Sequence, residues 1–393
     1  MTIEGQARET AAGALRYGMI GGGRGAFIGG VHRQAIALDS LASLAAGCFS
    51  TDYGNTLETG TSLGLPPERL YRNYKAMVAA EAGRADGIDF LVVATPNRLH
   101  YQVARLALEH GIHVMCEKPL ATSSAEAKAL GALAKRKGLL FAVAYAYTGY
   151  PIVRHMREMV AHGELGDIRF IAAEYPQEWL ATPLERTGQK QAAWRTDPRQ
   201  AGVSNCVGDI GSHIENMVSH VTGLEIRTLL ARLDRTVRGR ALDDNASILV
   251  EYKGGARGIY WASQIAVGKD NGLRIRIYGA KAALEWSQES PNYCEVAYVG
   301  GPVVRLSRGR DAMHPAAQRM SRIPAGHPEG YYEAFGNLYR NFADAIIARR
   351  HGSRVEQDFP TAIDGARTMA FIETALESNA AVGKWMRVQD HTH

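Results

Sequence analysis

A cluster of glycines near the N-terminus constrains the fold of this chain more than any other feature of its sequence. Seven of the thirteen residues from Gly18 to Gly30 are glycine, and they begin where the apolar run Leu15–Ile20, a pattern typical of a buried strand, is ending. Gly21, Gly23 and Ala26 have the GxGxxA spacing of a dinucleotide-binding turn. The first glycine permits a tight turn, the second lets a pyrophosphate approach the backbone, and the small third residue lets helix and strand pack closely.

The segments that follow decide between a nucleotide site and a glycine-rich turn without function. Five short apolar runs have the pattern of buried strands: Leu15–Ile20, Ser43–Phe49, Phe90–Thr95, Ile112–Cys116 and Leu139–Tyr145. Helical patterns fit between them, as in Leu99–His110 and Ser123–Lys137. This alternation predicts a doubly wound parallel sheet, a Rossmann domain over residues 1–150. A glycine turn after its first strand favours phosphate binding at the next helix N-terminus.

The pattern changes after Pro151, where a second domain over residues 151–393 is predicted. Strand-like runs follow one another between Ile226 and Val304 with glycines between them, which indicates an open, mainly antiparallel sheet in an α/β domain. Tyr331–Arg350 and Pro360–Val382 return to helical periodicity. These last helices are expected either to stay with the second domain or to pack back on the first.

Composition excludes several other classes of protein. The chain has 42 glycines and 14 prolines in 393 residues, too few for a low-complexity or collagen-like protein. Its net charge of +5 is spread along the chain without a basic stripe, which argues against a nucleic-acid partner. The four cysteines contain no CxxC pair, and no apolar run reaches membrane-spanning length. Residues 1–14 lack the apolar core of a signal peptide, so a soluble, cytoplasmic protein is expected.

The end of the second predicted strand bears on the choice of cofactor. An acid there would bind the ribose 2′-hydroxyl of NAD, whereas small and basic residues would bind the 2′-phosphate of NADP. The chain has Ser50, Thr51 and Asp52 in this segment, with Arg24 of the glycine turn as the nearest base. The sequence therefore favours NAD, because an acid is present and a phosphate clamp is absent, and leaves NADP open.

Three further motifs take the interpretation beyond a generic nucleotide fold. They are ATPNRLH at residues 94–100, EKP at 117–119 and GDIGSH at 208–213. With Trp194-Arg195 and the segment from Tyr278 to Trp286, they resemble the glucose-fructose oxidoreductase, inositol dehydrogenase and rhizopine-catabolism (Gfo/Idh/MocA) family over about residues 15–380. The resemblance implies NAD(P)-dependent oxidation or reduction of a polyol, sugar or cyclitol. It also implies a homodimer or homotetramer formed through the open sheet.

The chain departs from the family's pattern at two places. Ser50 stands where an acid is commoner, which leaves the cofactor preference open. Residues 144–147, with the sequence AYAY, stand where many members carry Asn or Arg. The substrate pocket is therefore expected to differ from that of many members.

The resemblance assigns catalytic roles to Lys118, Asp209 and His213. Oxidation of a secondary alcohol needs a base for the hydroxyl proton and a group that stabilises the developing alkoxide. His213 is the predicted base, since an ordinary histidine pKa of about 6.5 suits proton transfer near neutrality. Lys118 is predicted to polarise the reacting oxygen, and Asp209 to bind a substrate hydroxyl or to orient the lysine or the histidine. Taken alone, the DxxxH spacing would indicate a solvated pair on a helix, and Glu117-Lys118 a surface charge pair.

The remaining site residues follow from the same motifs. The predicted cofactor-binding residues are Gly21, Gly23, Arg24, Gly25, Ala26, Phe27, Ile28, Ser50, Thr51, Thr95, Pro96, Asn97, His100, Glu117 and Lys118. The predicted substrate-binding residues are Lys118, Tyr145, Trp194, Arg195, Asp209, His213 and His327. For some of these residues a structural role stays open. His100 and His327 could each be residues at a helix start without a ligand, and the aromatic residues could pack in the core. The resemblance also suggests a cis peptide bond before Pro119.

No metal is predicted at this site, because HxH and HExxH spacings are absent and Lys118 takes the place of an electrophile. Two functions other than a dehydrogenase are considered. One is an NAD-dependent glycosidase that oxidises C3 of a glycoside transiently, eliminates the aglycone and returns the hydride. The other is a non-catalytic nucleotide sensor, against which the presence of Lys118, Asp209 and His213 argues.

Overall fold

The computed structural model describes residues 14–389. The expectation of no signal peptide rests on residues 1–14 and so lies almost wholly outside the described residues. Within the described part of the chain, no helix is long and apolar enough to cross a membrane. The four cysteines are buried and free.

The first domain is built on a parallel sheet of five strands. The strands are β1 (Leu15–Gly21), β2 (Ala42–Cys48), β3 (Phe90–Ala94), β4 (His113–Cys116) and β5 (Phe141–Val143), in the order β2-β1-β3-β4-β5. The helices are α1 (Phe27–Ala37), α2 (Tyr53–Ser62), α3 (Tyr74–Ala82), α4 (His100–Glu109) and α5 (Ser124–Lys137). Every residue of β3 is buried, because helices cover both faces of a doubly wound sheet. The predicted parallel sheet is confirmed.

The second domain contains a sheet of nine strands. Its elements are α6 (Pro151–Ala161), β6 (Ile168–Pro176), α7 (Lys190–Arg195), α8 (Pro198–Ala201), α9 (Ser212–Thr222), β7 (Ile226–Asp234), β8 (Asn245–Tyr252), β9 (Arg257–Ser263), β10 (Arg274–Gly279), β11 (Ala282–Ser287), β12 (Tyr293–Tyr298), β13 (Val303–Ser307), α10 (Pro315–Gln318), α11 (Tyr331–Arg350), α12 (Ala362–Ala380) and β14 (Met386–Arg387). The strand order is β13-β12-β11-β10-β6-β9-β8-β7-β14. Only β6 and β9 pair in parallel among these neighbours, so the predicted, mainly antiparallel sheet is confirmed.

One face of the nine-stranded sheet lies against α9 and α12. On the other face, five large apolar side chains from four adjacent strands are 37–44% exposed: Phe170, Leu249, Ile259, Trp261 and Tyr278. The strand register places all five on the same side, since Phe170 pairs with Tyr278 and Leu249 pairs with Ile259. We call these five residues the open face.

The two long C-terminal helices contact the first domain. Helix α11 packs against α1, and α12 packs against α5 as well as β7. Asp39, just after α1, accepts hydrogen bonds from Arg322 and Arg340, so an ion cluster also joins the first domain to the C-terminal segment. These contacts fix the carboxyl edge of the parallel sheet relative to the second domain.

Candidate active site

The glycine turn leaves the N-terminus of α1 open to an anion. Gly21 has φ +86°, and a Cβ there would lie 2.3 Å from the carbonyl oxygen of Ala94, so only glycine fits between β1 and β3. Ala26 precedes α1 without a side-chain cap, and the first turn of α1 carries no acid. The first N–H groups of a helix have no intrahelical partner, and here no side chain caps them either, as a pyrophosphate site requires.

The segment after β2 is built around the start of α2. Asp52 accepts a hydrogen bond from the backbone N–H of Gly54 at 2.9 Å and so caps the helix. Ser50 accepts one from the backbone N–H of Asp52 at 3.1 Å. Arg24 pairs with Glu58 at 2.9 Å, and both side chains are exposed. Asp52 therefore caps α2, and Arg24 of the glycine turn already has an acidic partner.

Thr95, Pro96, Asn97 and His100 follow β3, but two of their side chains support neighbouring segments. Asn97 donates to the carbonyl oxygen of Ala201 at 3.0 Å. His100 is fully buried, and its two ring nitrogens each lie 2.8 Å from a backbone carbonyl oxygen, of Pro119 and of Thr95. Burial lowers the pKa of His100, while the two carbonyl acceptors favour the doubly protonated ring. His100 therefore braces the turn after β4, and its cofactor contact stays a prediction.

Glu117 is held from both sides at the end of β4. Its Oε1 lies 3.0 Å from Nε2 of His32, and its Oε2 accepts from the backbone N–H of Lys118 at 3.0 Å. The other nitrogen of His32 contacts the hydroxyl of Tyr339 at 2.6 Å. Burial favours the neutral carboxyl, but the His32 hydrogen bond and the charges of His32 and Lys118 outweigh it and lower the pKa of Glu117. No sequence motif indicated His32 or Tyr339.

Lys118 and Asp209 form the centre of the site. The Nζ atom of Lys118 lies 2.8 Å from Oδ1 of Asp209 and 2.9 Å from its backbone oxygen. The second carboxylate oxygen accepts from Gln264 at 3.0 Å and lies 3.3 Å from Nε of Arg195. Burial would raise the pKa of Asp209, but the charges of Lys118 and Arg195 hold it far below its ordinary value. An ionised carboxylate therefore orients the lysine. The Lys118–Pro119 peptide bond is cis.

Asp209 lies in a π-helical turn, Val207–Gly211, that leads directly into α9. The DxxxH spacing alone would indicate a pair on one helix, but Asp209 lies in the π-helical turn and His213 in α9. Periods of 3.6 and 4.4 residues cannot be distinguished over so few residues. Buried Asp243 holds the turn by accepting from the backbone N–H groups of Asn205 at 3.0 Å and Val207 at 2.8 Å. Sequence reasoning missed Asp243 and Gln264.

His213 is surrounded by aromatic rings. Its ring centre lies 4.7 Å from that of Tyr147, 5.6 Å from Tyr145 and 6.0 Å from Tyr175. Within residues 14–389, neither of its ring nitrogens has a hydrogen-bond partner, so Asp209 orients the lysine and not the histidine. Burial, and then the charge of Lys118, lower the pKa of His213 well below its ordinary value. The imidazole is therefore neutral near pH 7.

The other predicted substrate residues differ in their positions. Tyr145 is 1% exposed and packs behind the imidazole. Arg195 lies over Trp194, with its guanidinium carbon 4.3 Å from the ring centre, and on the other side it contacts Asp209. His327 is exposed, and among the described residues its side chain forms no hydrogen bond or ion pair with Lys118 or His213. The structure brings Arg195 to the cluster and leaves His327 outside it.

One group among the described residues has the composition of a metal site, and it shares no residue with this cluster. Ligand atoms of Glu158, His162 and His314 lie within 4.8 Å of one another. However, Nδ1 of His314 accepts a hydrogen bond from the backbone N–H of Ala316, so its Nε2 carries the proton in the neutral ring. That arrangement does not suit a metal ligand.

The fold and the cluster together define a class of protein. A phosphate-binding glycine turn lies at the same edge of a parallel sheet as an ion-paired lysine and a neutral histidine. Ligands of open parallel sheets bind at this edge. The arrangement is typical of an oxidoreductase that uses a nicotinamide cofactor.

Comparison with known proteins identifies the family. Residues 15–145 match the oxidoreductase family with an NAD-binding Rossmann fold, and residues 153–285 match the GFO/IDH/MocA C-terminal domain. The chain belongs to the Gfo/Idh/MocA family of oxidoreductases, and its first domain binds NAD. Both expectations from the sequence are confirmed.

Several relatives match over nearly the whole chain. The uncharacterized oxidoreductase YfiI of Bacillus subtilis is 38% identical over 381 residues, which cover 95% of this chain and 96% of that protein. An inositol dehydrogenase homolog from Azotobacter vinelandii, solved with NAD+, has a TM-score of 0.92 and 38% identity, covering 96% and 98% of the two chains. Levoglucosan dehydrogenase of Pseudarthrobacter phenanthrenivorans is 28% identical over 418 residues, covering 95% and 98%.

Proposed function

We propose that this protein is a dehydrogenase that transfers a hydride between NAD and a secondary alcohol of a cyclitol, sugar or sugar derivative. The observation that carries the proposal is the Lys118–Asp209 ion pair beside a neutral His213 whose ring nitrogens have no partner in the described residues. Bound NAD supplies the hydride chemistry. The chain itself supplies alignment and proton handling.

Lys118 binds the reacting oxygen in this proposal. An ammonium has three N–H donors, and Asp209 accepts from it at two atoms. One donor is left for the substrate oxygen, where it stabilises alkoxide character as the hydride leaves carbon.

His213 takes the hydroxyl proton during oxidation and returns it during reduction. A base must be unprotonated to accept a proton, and burial keeps this imidazole neutral. Tyr145 supports the ring from behind, which gives it a role in holding His213 instead of contacting the substrate.

The substrate class is supported by the polar groups around the carboxylate and by the relatives. Arg195 offers hydrogen-bond donors beside the carboxylate of Asp209, and the aromatic ring of Trp194 packs against its guanidinium. Such a mixture suits a polyhydroxylated ring. Relatives have been solved with myo-inositol and with levoglucosan.

We propose NAD as the preferred cofactor over NADP. Asp52 supplies an acid two residues after Ser50, in the segment expected to bind the ribose, and a carboxylate there would repel a 2′-phosphate. The nearby base, Arg24, already pairs with Glu58. We also propose that the protein forms a homo-oligomer through the open face. A cytoplasmic location is proposed as well, because four free cysteines suit a reducing compartment.

The test is a panel of inositols, aldoses and anhydrosugars, each assayed with NAD and with NADP by the absorbance of the reduced cofactor. Steady formation of NADH with a free polyol supports the dehydrogenase. Release of nitrophenol from nitrophenyl glycosides without net NADH would support the NAD-dependent glycosidase instead. Lys118→Ala and His213→Ala should each lower turnover by about 100-fold or more. Turnover of both variants within about threefold of the parent would contradict the assigned proton handling.

A further inference from the structure

We infer that Tyr147, Tyr175 and Asn271 are positioning residues that hold the His213 imidazole in its working orientation. The inference rests on the proposed function, because it concerns the base of that reaction. Of these three residues, only Tyr147 lies in a segment that the sequence motifs singled out, the AYAY segment.

The starting observation is that His213 lacks the usual means of orientation. A catalytic histidine is commonly oriented by a hydrogen bond at the nitrogen that does not react. In residues 14–389 His213 has no such partner, and Asp209, the nearest carboxylate, is occupied by Lys118, Gln264 and Arg195. Packing against rings is what remains to orient the imidazole.

The rings that pack on His213 are themselves fixed by a closed cycle of hydrogen bonds. Oδ1 of Asn271 can only accept, so the hydroxyl of Tyr175 donates to it, at 2.5 Å. The hydroxyl of Tyr147 must then donate to Tyr175, at 2.5 Å. Nδ2 of Asn271 donates back to the oxygen of Tyr147 at 3.3 Å. Gln177 also donates to Oδ1 of Asn271 at 2.9 Å.

Each member of the cycle comes from a different part of the fold. Tyr147 lies in the turn after β5, Tyr175 near the end of β6, and Asn271 in the loop between β9 and β10. Hydrogen bonds in a cycle that all run in one direction polarise and strengthen one another. The cycle therefore joins both domains around α9 and fixes two of the three rings that touch His213.

Burial keeps the cycle intact across the pH range of catalysis. Tyr147 and Tyr175 are both nearly inaccessible, and burial raises the pKa of each phenol. Both hydroxyls therefore stay protonated donors. The charged groups that act on His213 itself are Lys118 and Asp209, and neither belongs to the cycle.

The experiment uses Tyr175→Phe and Asn271→Ala in the full chain. Tyr175→Phe keeps the ring and removes the hydroxyl, while the partly exposed Asn271 opens the cycle at another member with less risk to folding. We expect each variant to lower kcat by about 10- to 100-fold, with KM for the alcohol changed by less than about threefold, because base alignment is lost while substrate contacts stay.

A second readout does not depend on turnover. The imidazole of His213 can be followed by NMR of histidine-labelled protein, with His213→Gln to assign its signal. We expect the pKa of His213 to rise toward its ordinary value in both variants, because a loosened ring gains water. Tyr252→Phe is the matched control: it breaks a Tyr252–Tyr260 hydrogen bond of 2.7 Å between two buried tyrosines elsewhere in the sheet, and it should leave kcat and the His213 signal unchanged.

The two readouts separate the inference from the proposed function. An unchanged His213 signal and unchanged kcat in both cycle variants would overturn the inference. An active His213→Gln enzyme would overturn the proposed role of His213 as the base. In that case a shifted His213 signal in the cycle variants would still support the positioning of the ring.

Discussion

The ammonium of Lys118 contacts Asp209 twice, at the carboxylate oxygen Oδ1 and at the backbone oxygen. Lys118 follows a strand of the first domain and Asp209 precedes a helix of the second, 91 residues away. The pair is mostly shielded from water, with 15% and 17% of the two side chains exposed. Such a pair fixes the lysine and links the two domains at the place where a substrate would bind.

Replacement of Asp209 by Asn should lower both activity and stability. The variant leaves Lys118 and Arg195 without their carboxylate partner, so we expect a loss of about 3 kcal/mol in the free energy of unfolding at neutral pH. We also expect kcat to fall by about 100-fold, because Lys118 is no longer oriented. Urea unfolding and steady-state kinetics measure the two effects.

The stability effect has a defined pH dependence and a matched control. The pKa of Asp209 is lowered in the folded state, so its stabilisation is present above the unfolded pKa, about 3.9, and is lost as the pH falls further. The difference between parent and Asp209→Asn should therefore shrink in acid. Glu109→Gln breaks an exposed pair with Arg105 and should cost less than about 1 kcal/mol. Equal losses for the two variants would contradict a special role for the buried pair.

The pH dependence of alcohol oxidation should reflect the lowered pKa of His213. The proposed base is active when neutral, so a lowered pKa would extend activity toward acid. We expect kcat/KM, measured from initial rates, to stay constant as the pH falls to about 6.5 and to decline only below that value. In His213→Gln this acid limb should disappear together with most of the rate. An acid limb with its midpoint at or above about 6.5 in the parent would contradict a buried, neutral base.

Much of the fold could be predicted because its signals are local. The five strands of the first domain are short apolar runs, and the glycine turn needs only Gly21, Gly23 and Ala26 in the right spacing. Lys118 and Asp209, both predicted as catalytic residues, are in contact. The family resemblance indicated this pair, whereas the spacing of the two residues in the sequence did not.

The rest of the site depends on contacts that no local pattern specifies. Gln264 reaches Asp209 across 55 residues, and His32 reaches Glu117 across 85. Their sequence neighbourhoods are those of an ordinary strand end and an ordinary helix. The π-helical turn at Asp209 was missed for another reason, because one extra residue in a single turn leaves the apolar periodicity of α9 unchanged.

Glu215 should make the stability of the protein fall as the pH rises. This buried carboxyl lies on α9, contacts the hydroxyl of Thr368 at 2.5 Å, and burial raises its pKa to about 7. A raised folded-state pKa means that the stabilisation is complete below the unfolded pKa, about 4.3, and is lost as the pH rises to about 7. Glu215→Gln avoids this loss.

We therefore expect the free energy of unfolding of Glu215→Gln to be close to that of the parent at about pH 5. At about pH 8 the variant should be the more stable protein by about 3 kcal/mol. Urea unfolding at the two pH values measures the difference. Exposed Glu68, replaced by Gln, should show no pH-dependent difference from the parent. A Glu215→Gln protein that is less stable than the parent at about pH 8 would contradict a carboxyl whose ionised form is disfavoured by burial.

The open face should be the site of self-association. Five large apolar side chains on one side of a sheet form an exposed patch of the kind that marks a protein interface. In a two-fold interface each substitution occurs twice, so Trp261→Glu would place like charges near one another and dissociate the assembly. Light scattering after gel filtration should show the parent as a dimer or tetramer and Trp261→Glu as a monomer. Val267→Glu, an exposed apolar position outside the strands, should keep the parent's mass. A monomeric parent, or a Trp261→Glu protein of unchanged mass, would exclude this face as the interface.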